Sequence, residues 1–168
     1  MTVSGSRKRL LLVDDYPDAL EMWAAFFNAS GYDVVTASSG RQALERALAD
    51  VPDLILLDLQ LPEISGIEVA RRLRSSTQTA HVPLIAVTGF SQERDHEAAR
   101  RAGFDTIVVK PCDPPALLDE ITRLLSPPEA PEDSDAEIGR GDRPPHADGD
   151  ERASPMPAEQ RIDELQKQ

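Results

Sequence analysis

The chain has 168 residues, a formal net charge of −12 and a single cysteine, Cys112, which leaves room for one domain of ordinary size with some chain to spare. That acidic balance argues against direct DNA binding, because phosphate contacts need clustered Lys and Arg, and the triplet Arg7-Lys8-Arg9 is too short to reverse it. No apolar run reaches the roughly 18 residues of a membrane span, no signal-type start is present and Cys112 has no disulfide partner, so the expectation is a cytoplasmic protein without membrane insertion.

Short apolar runs recur along the first three quarters of the sequence, at Leu10 to Val13, Val34-Val35, Leu54 to Leu57, Leu84 to Val87 and Ile107 to Val109. Runs this short and this rich in Val, Ile and Leu read as parallel strands covered on both faces. Each gap between them is long enough for a helical crossover. In the first gap Ala19, Met22, Trp23, Phe26 and Phe27 repeat at steps of three and four, which predicts an inward stripe and leaves Leu20 and Ala24 facing outward toward a partner. Gly31 stops that helix. Ser39 with Gln42 has capping-box spacing and starts the second helix, which ends by Pro52. Ser65 with Glu68 starts the third, Gly103 stops the fourth, and Asp113 followed by Pro114 is an N-cap with proline at the first position of the fifth.

Beyond Leu125 the composition changes. Lys plus Arg against Asp plus Glu is 13 against 18 up to Ser126 and 5 against 12 afterwards. The later part is rich in Pro, Gly and Ser and has too few apolar residues to offset chain entropy. The expected organisation is an N-terminal extension over 1–8, a folded domain over 9–126 and a disordered acidic tail over 127–168, in which Ile162 and Leu165 are spaced for at most a transient helix.

The pattern is (βα)₅, and right-handed crossovers make it a doubly wound parallel sheet with its site at the carboxyl edge of the strands. The first run ends in Asp14-Asp15, the third in Asp58, the fourth in Thr88-Gly89 and the fifth in Lys110-Pro111. Neighbouring strands lie about 4.8 Å apart. Acids at adjacent strand ends therefore repel, by about 4 kcal/mol for a pair at 4 Å in an effective dielectric near 20. Such a cluster of hard oxygen donors suits Mg²⁺ (or Mn²⁺), and Mg²⁺ suits phosphoryl chemistry. His81, His96 and His146 have no metal-ligand spacing, and no GxGxxG follows a strand.

With these motifs in order, the segment from about Arg9 to Leu125 resembles the receiver domain of two-component response regulators. Val13-Asp14-Asp15, Asp58 with Leu61-Pro62 and Ser65-Gly66, Thr88-Gly89, Ala102-Gly103 and Lys110-Pro111 carry the resemblance. It implies a flavodoxin-like fold with strand order 2-1-3-4-5 and Asp58 as phosphoacceptor. It implies Mg²⁺ held directly by Asp15 and Asp58, through the main-chain carbonyl of Gln60, and through a water by Asp14. Thr88 and Lys110 would hold phosphoryl oxygens, and the Lys110-Pro111 bond would be cis. The donor implied is a histidine kinase or a histidine phosphotransfer protein, docking near Leu20 and the Asp113 loop.

The sequence departs from that family in three ways. Ile107 stands where the family usually has a Tyr or Phe that turns inward with Thr88 on activation, and Phe104 is wrongly spaced to replace it. Cys112 takes a place that is often apolar or aromatic, and reads as a small buried hydrophobe. An acidic tail stands where many regulators carry a DNA-binding domain. Gln60 and Phe90, each two residues past a site residue, are placed to tune attack by water. The reading is a single-domain, CheY-like regulator, a phosphoacceptor rather than an enzyme, whose output is binding to a downstream protein. The competing reading, a pseudo-receiver or scaffold that binds partners without phosphorylation, has Ile107 in its favour and the intact acids, Thr88 and Lys110 against it. A phosphatase of related fold is disfavoured, since it needs a carboxylate where this chain has Gln60.

Overall fold

The computed structural model describes residues 5–89 and 92–127. Phe90, the acidic tail from residue 128 onward and the Ile162/Leu165 segment therefore lie outside the described residues. The chain divides into two units, 1–130 and 131–168, and every described residue falls in the first.

Five strands and five helices alternate: β1 (Arg9–Val13), α1 (Pro17–Ala29), β2 (Asp33–Ala37), α2 (Gly40–Ala49), β3 (Leu54–Leu57), α3 (Gly66–Ser75), β4 (Leu84–Thr88), α4 (Glu93–Ala102), β5 (Thr106–Val109) and α5 (Pro114–Leu125). The strands form one sheet in the order β2-β1-β3-β4-β5, and all four pairings are parallel. The fold is thus the doubly wound sheet that the alternation predicts, in the flavodoxin-like strand order that the receiver-domain resemblance implies.

Burial on both faces explains the unbroken apolar runs. Successive strand residues point to opposite sides, so Leu11, Val13, Ile55, Leu57, Leu84 and Ala86 pack with α2, α3 and α4. Leu10, Leu12, Leu54, Leu56, Ile85 and Val87 pack with α1 and α5. At about 25 cal/mol per Å² of apolar surface removed from water, these two layers supply most of the stabilisation.

The helix starts follow the predicted caps. The Ser39, Ser65 and Asp113 side chains accept from the backbone N–H groups of Gln42, Glu68 and Ala116. The Gln42 side chain returns its bond one residue earlier than a capping box requires, to the Ser38 N–H. Gly103 ends α4 at φ 101°, and Gly31 follows α1 at φ 98°. Both are left-handed values that glycine adopts without steric cost.

The inward face of α1 differs from the predicted stripe. Leu20, Trp23 and Phe27 are its buried residues, whereas Met22 is 56% exposed. A helix turns about 100° per residue, so Met22 lies about 200° from Leu20 and cannot share its face. Ala19 and Phe26 flank the buried stripe in part, as predicted. Leu20 is therefore core, and the expectation that it faces a docking partner is corrected. Trp23 stacks on Phe27 at a ring-centroid distance of 5.6 Å, with Phe26 edge-on to both rings.

Candidate functional site

The sheet ladder brings the strand ends to one edge. Beyond the last paired residues, the Asp58 N–H donates to the Val13 carbonyl at 3.0 Å and the Lys110 N–H to the Thr88 carbonyl at 2.8 Å. The first bond sets Asp58 beside the Asp14-Asp15 pair, and the second sets Lys110 beside Thr88. Asp14, Asp58 and Thr88 are buried, while Asp15 is exposed.

Across that edge Lys110 reaches both buried acids. Its Nζ donates to Asp14 Oδ2 at 2.8 Å and to Asp58 Oδ2 at 3.0 Å. Burial pulls the lysine toward its neutral form, but the hydrogen bonds and charges of Asp14 and Asp58 outweigh it, and its pKa is raised above the ordinary lysine value. The other oxygens are held from the backbone: Asp58 Oδ1 accepts from the Gln60 N–H at 2.8 Å, and Asp14 Oδ1 from the Tyr16 N–H at 2.9 Å. In each of these local turns the carboxylate is held by the backbone N–H two residues further along its own loop.

Carboxylate oxygens of Asp14, Asp15 and Asp58 lie within 4.8 Å of one another. Three acids facing one ammonium leave two negative charges in excess, in a cluster offering only oxygen donors on the protein's rim. That donor chemistry fits a hard divalent cation such as Mg²⁺.

The loop behind Asp58 is shaped by close approach. A Cβ on Gly66 would sit 2.2 Å from the Asp58 carbonyl oxygen, so only glycine lets the start of α3 close over the site residue. The Gly66 N–H donates to the Leu59 carbonyl at 3.0 Å. Glu63 in the same loop takes a left-handed φ of 65°, a conformation uncommon outside glycine and not signalled by its residue type.

Of the residues singled out in the sequence, Asp14, Asp15, Asp58 and Lys110 come together, and Thr88 and Gln60 adjoin them through their backbones. The Gln60 side chain is exposed. Ile107 does not join this edge, since it is half-buried against the core layer of α2, α3 and α4. Phe104 is buried in that same layer and is core. Cys112 packs partly against the opposite layer, and burial pushes its thiol up, the direction of an inert cysteine. The Lys110–Pro111 peptide bond is cis. Sequence reasoning missed the Lys110–Asp14 bond and the role of Tyr16, because neither a lysine at a strand end nor a tyrosine at a helix start specifies which oxygen it meets.

Among the described residues no helix is long and apolar enough to cross a membrane. A family model described as the response regulator receiver domain matches residues 10–122. The polar-differentiation response regulator DivK of Brucella ovis is 36% identical over 118 residues, which cover 70% of this chain and 96% of DivK. The solved chemotaxis protein CheY4 of Vibrio cholerae matches with a TM-score of 0.68 at 28% identity, covering 71% of this chain and 99% of that one. The receiver domain of the sensor histidine kinase PA1611 from Pseudomonas aeruginosa PAO1, solved with a magnesium ion coordinated in its active site cleft, matches with a TM-score of 0.67 at 29% identity, covering 71% and 98%. A sheet that delivers acids, threonine and lysine to one edge, in a sequence matched over most of its length, places this chain in the response regulator receiver domain family, the CheY-like module of two-component signalling.

Proposed function

We propose that the chain is a stand-alone response regulator whose Asp58 accepts a phosphoryl group from a phosphohistidine of a sensor kinase or phosphotransfer protein. The observation that carries the reading is Lys110 Nζ within hydrogen-bond distance of both Asp14 and Asp58, in a cluster that Asp15 completes. A carboxylate oxygen of Asp58 attacks phosphorus, an acyl phosphate P–O bond forms, and the P–N bond breaks with its electron pair leaving on the imidazole, which takes a proton. Lys110 stabilises charge on the transferring oxygens, and the Thr88 hydroxyl receives one of them once the group has arrived. Asp15 and Asp58, with the Gln60 carbonyl and with Asp14 through a water, would hold Mg²⁺. Bound there, Mg²⁺ neutralises charge that develops on the phosphoryl oxygens.

Chemistry of this kind asks for positioning more than for a catalytic base, so the domain assists its own phosphorylation without being a turnover enzyme. Phosphorylation shifts the domain between two populations, and Thr88 with Lys110 is where the phosphoryl group contacts them differently. The output is altered binding to a downstream protein in the cytoplasm. Residues 9–126 form the receiver, flanked by the extension over 1–8 and the acidic tail. Gln60 and Phe90 tune the attack of water that ends the signal.

Intact-mass measurement after incubation with acetyl phosphate tests the reading, with and without Mg²⁺, on the parent protein and on Asp58→Asn. The expected result is one Mg²⁺-dependent phosphoryl adduct, absent from Asp58→Asn. Folded parent protein that binds Mg²⁺ yet gains no adduct favours the scaffold reading, for which the half-buried Ile107 in place of a mobile ring is the supporting observation.

A further inference from the structure

At the end of α4 farthest from Asp58, the Arg74 side chain gathers five bonds. Its Nε and one terminal nitrogen donate to the Gly103 carbonyl at 3.0 and 2.8 Å. The other terminal nitrogen donates to the Ala80 and Val82 carbonyls, both at 2.7 Å. The first terminal nitrogen also pairs with Asp105 Oδ2 at 3.0 Å, and that oxygen accepts from the Leu84 N–H at 2.8 Å. One guanidinium thus joins the last turn of α3, the turn before β4, the C-terminal end of α4 and the chain entering β5. Gly103 is matched to it, because a Cβ there would sit 2.8 Å from the Arg74 Cγ.

The rest of α4 is lightly anchored. Its buried residues are Ala99 and Ala102, both in the C-terminal half, and no side chain from Glu93 to Ala98 is fully buried. Two methyl groups remove little apolar surface from water, so packing holds the first half of the helix weakly. That half follows Thr88 in the chain, whereas the clamped half precedes β5.

We propose that Arg74 is the pivot of α4: it pins the helix at Gly103 and Asp105, so that a change at Thr88 swings the N-terminal half about a fixed C-terminal end. A helix of this length spans about 15 Å, and a lever pinned at one end turns a small displacement beside Thr88 into a directed rotation. Arg74 is a positioning residue, placed away from the phosphoryl site. The inference rests on Asp58 phosphorylation as the trigger.

Hydrogen exchange on the full chain, before and after acetyl phosphate with Mg²⁺, tests it with intact mass recorded on each sample. In the parent, phosphorylation is expected to change exchange over 93–98 at least threefold and to leave 102–106 unchanged. Arg74→Met is expected to accept the phosphoryl group within twofold of the parent rate, to exchange at least tenfold faster over 102–106, and to spread the phosphorylation-dependent change along the whole helix. Arg74→Lys, which keeps the charge but loses the fork of donors, should fall between. A role limited to general stability would raise exchange in β1 and β3 as well and leave the phosphorylation-dependent pattern confined to 93–98; that outcome, or unchanged exchange over 102–106 in both variants, overturns the pivot. If Arg74→Met does not fold, Arg74→Lys decides by the same criteria. Absence of any adduct in the parent refutes the Asp58 reading instead, and the fast exchange over 102–106 in the unphosphorylated variants then judges the clamp by itself.

Discussion

Lys110 Nζ stands 2.8 Å from Asp14 Oδ2, closer than its 3.0 Å approach to Asp58, so the lysine is shared between an expected metal ligand and the expected phosphoacceptor. An ammonium here and a divalent cation on the same acids repel one another. At about 5 Å, even in a water-like dielectric, that repulsion is about 1.7 kcal/mol. Lys110→Met is therefore expected to bind Mg²⁺ roughly tenfold more tightly than the parent, as titration calorimetry reads it, while accepting the phosphoryl group far more slowly. Without metal the variant should melt at lower temperature, since Asp14 and Asp58 lose their partner, and saturating Mg²⁺ should raise its Tm by more than the parent's. Equal affinities would show that Lys110 does not compete.

Gly66 tests how tightly the loop closes on the site. A methyl group 2.2 Å from the Asp58 carbonyl oxygen cannot be accommodated without moving backbone, and overpacking of this kind costs about 1–3 kcal/mol or more. Gly66→Ala should lose at least that much in denaturant unfolding. It should also lose phosphoryl acceptance under conditions where it remains folded, because the backbone that must shift carries Asp58. A variant of parental stability and rate would mean that the start of α3 is free to retreat.

The two neighbours Leu20 and Met22 show where sequence pattern stopped being informative. In α1 the apolar residues run almost all the way round, through Ala19, Leu20, Met22, Trp23, Ala24, Ala25, Phe26 and Phe27, so periodicity alone admits more than one inward face. The strands were legible because unbroken Val, Leu and Ile runs have a single solution, burial on both sides, and because the site residues stand where those runs end. Asp14, Asp15, Asp58, Thr88 and Lys110 needed only the strand order to meet. Arg74 was illegible for the opposite reason: four of its five bonds go to carbonyls in remote turns, and carbonyls leave no trace in residue type. Leu20→Ala is expected to cost about 2–4 kcal/mol and Met22→Ala less than about 0.5 kcal/mol, which equilibrium unfolding distinguishes readily.

Glu120 gives the fold a pH dependence that is separable from the site. Its carboxylate accepts from both Arg123 nitrogens that face it and from Thr106 Oγ1 at 2.6 Å, and these bonds, Arg123's first, hold it below the ordinary carboxylate range. A carboxylate depressed in the folded state stabilises the fold above its unfolded pKa of about 4.3, and that contribution fades as pH falls through the lower folded value. Glu120→Gln should therefore be less stable than the parent at pH 7, with the gap closing as the pH falls through the lowered folded value. Glu120 is half-buried but its partner Arg123 is exposed, so added salt should narrow the gap at pH 7 as well. A gap that does not narrow in acid would show that the amide fails by shape rather than by charge, and would remove the Glu120–Arg123 ion pair within α5 as its cause.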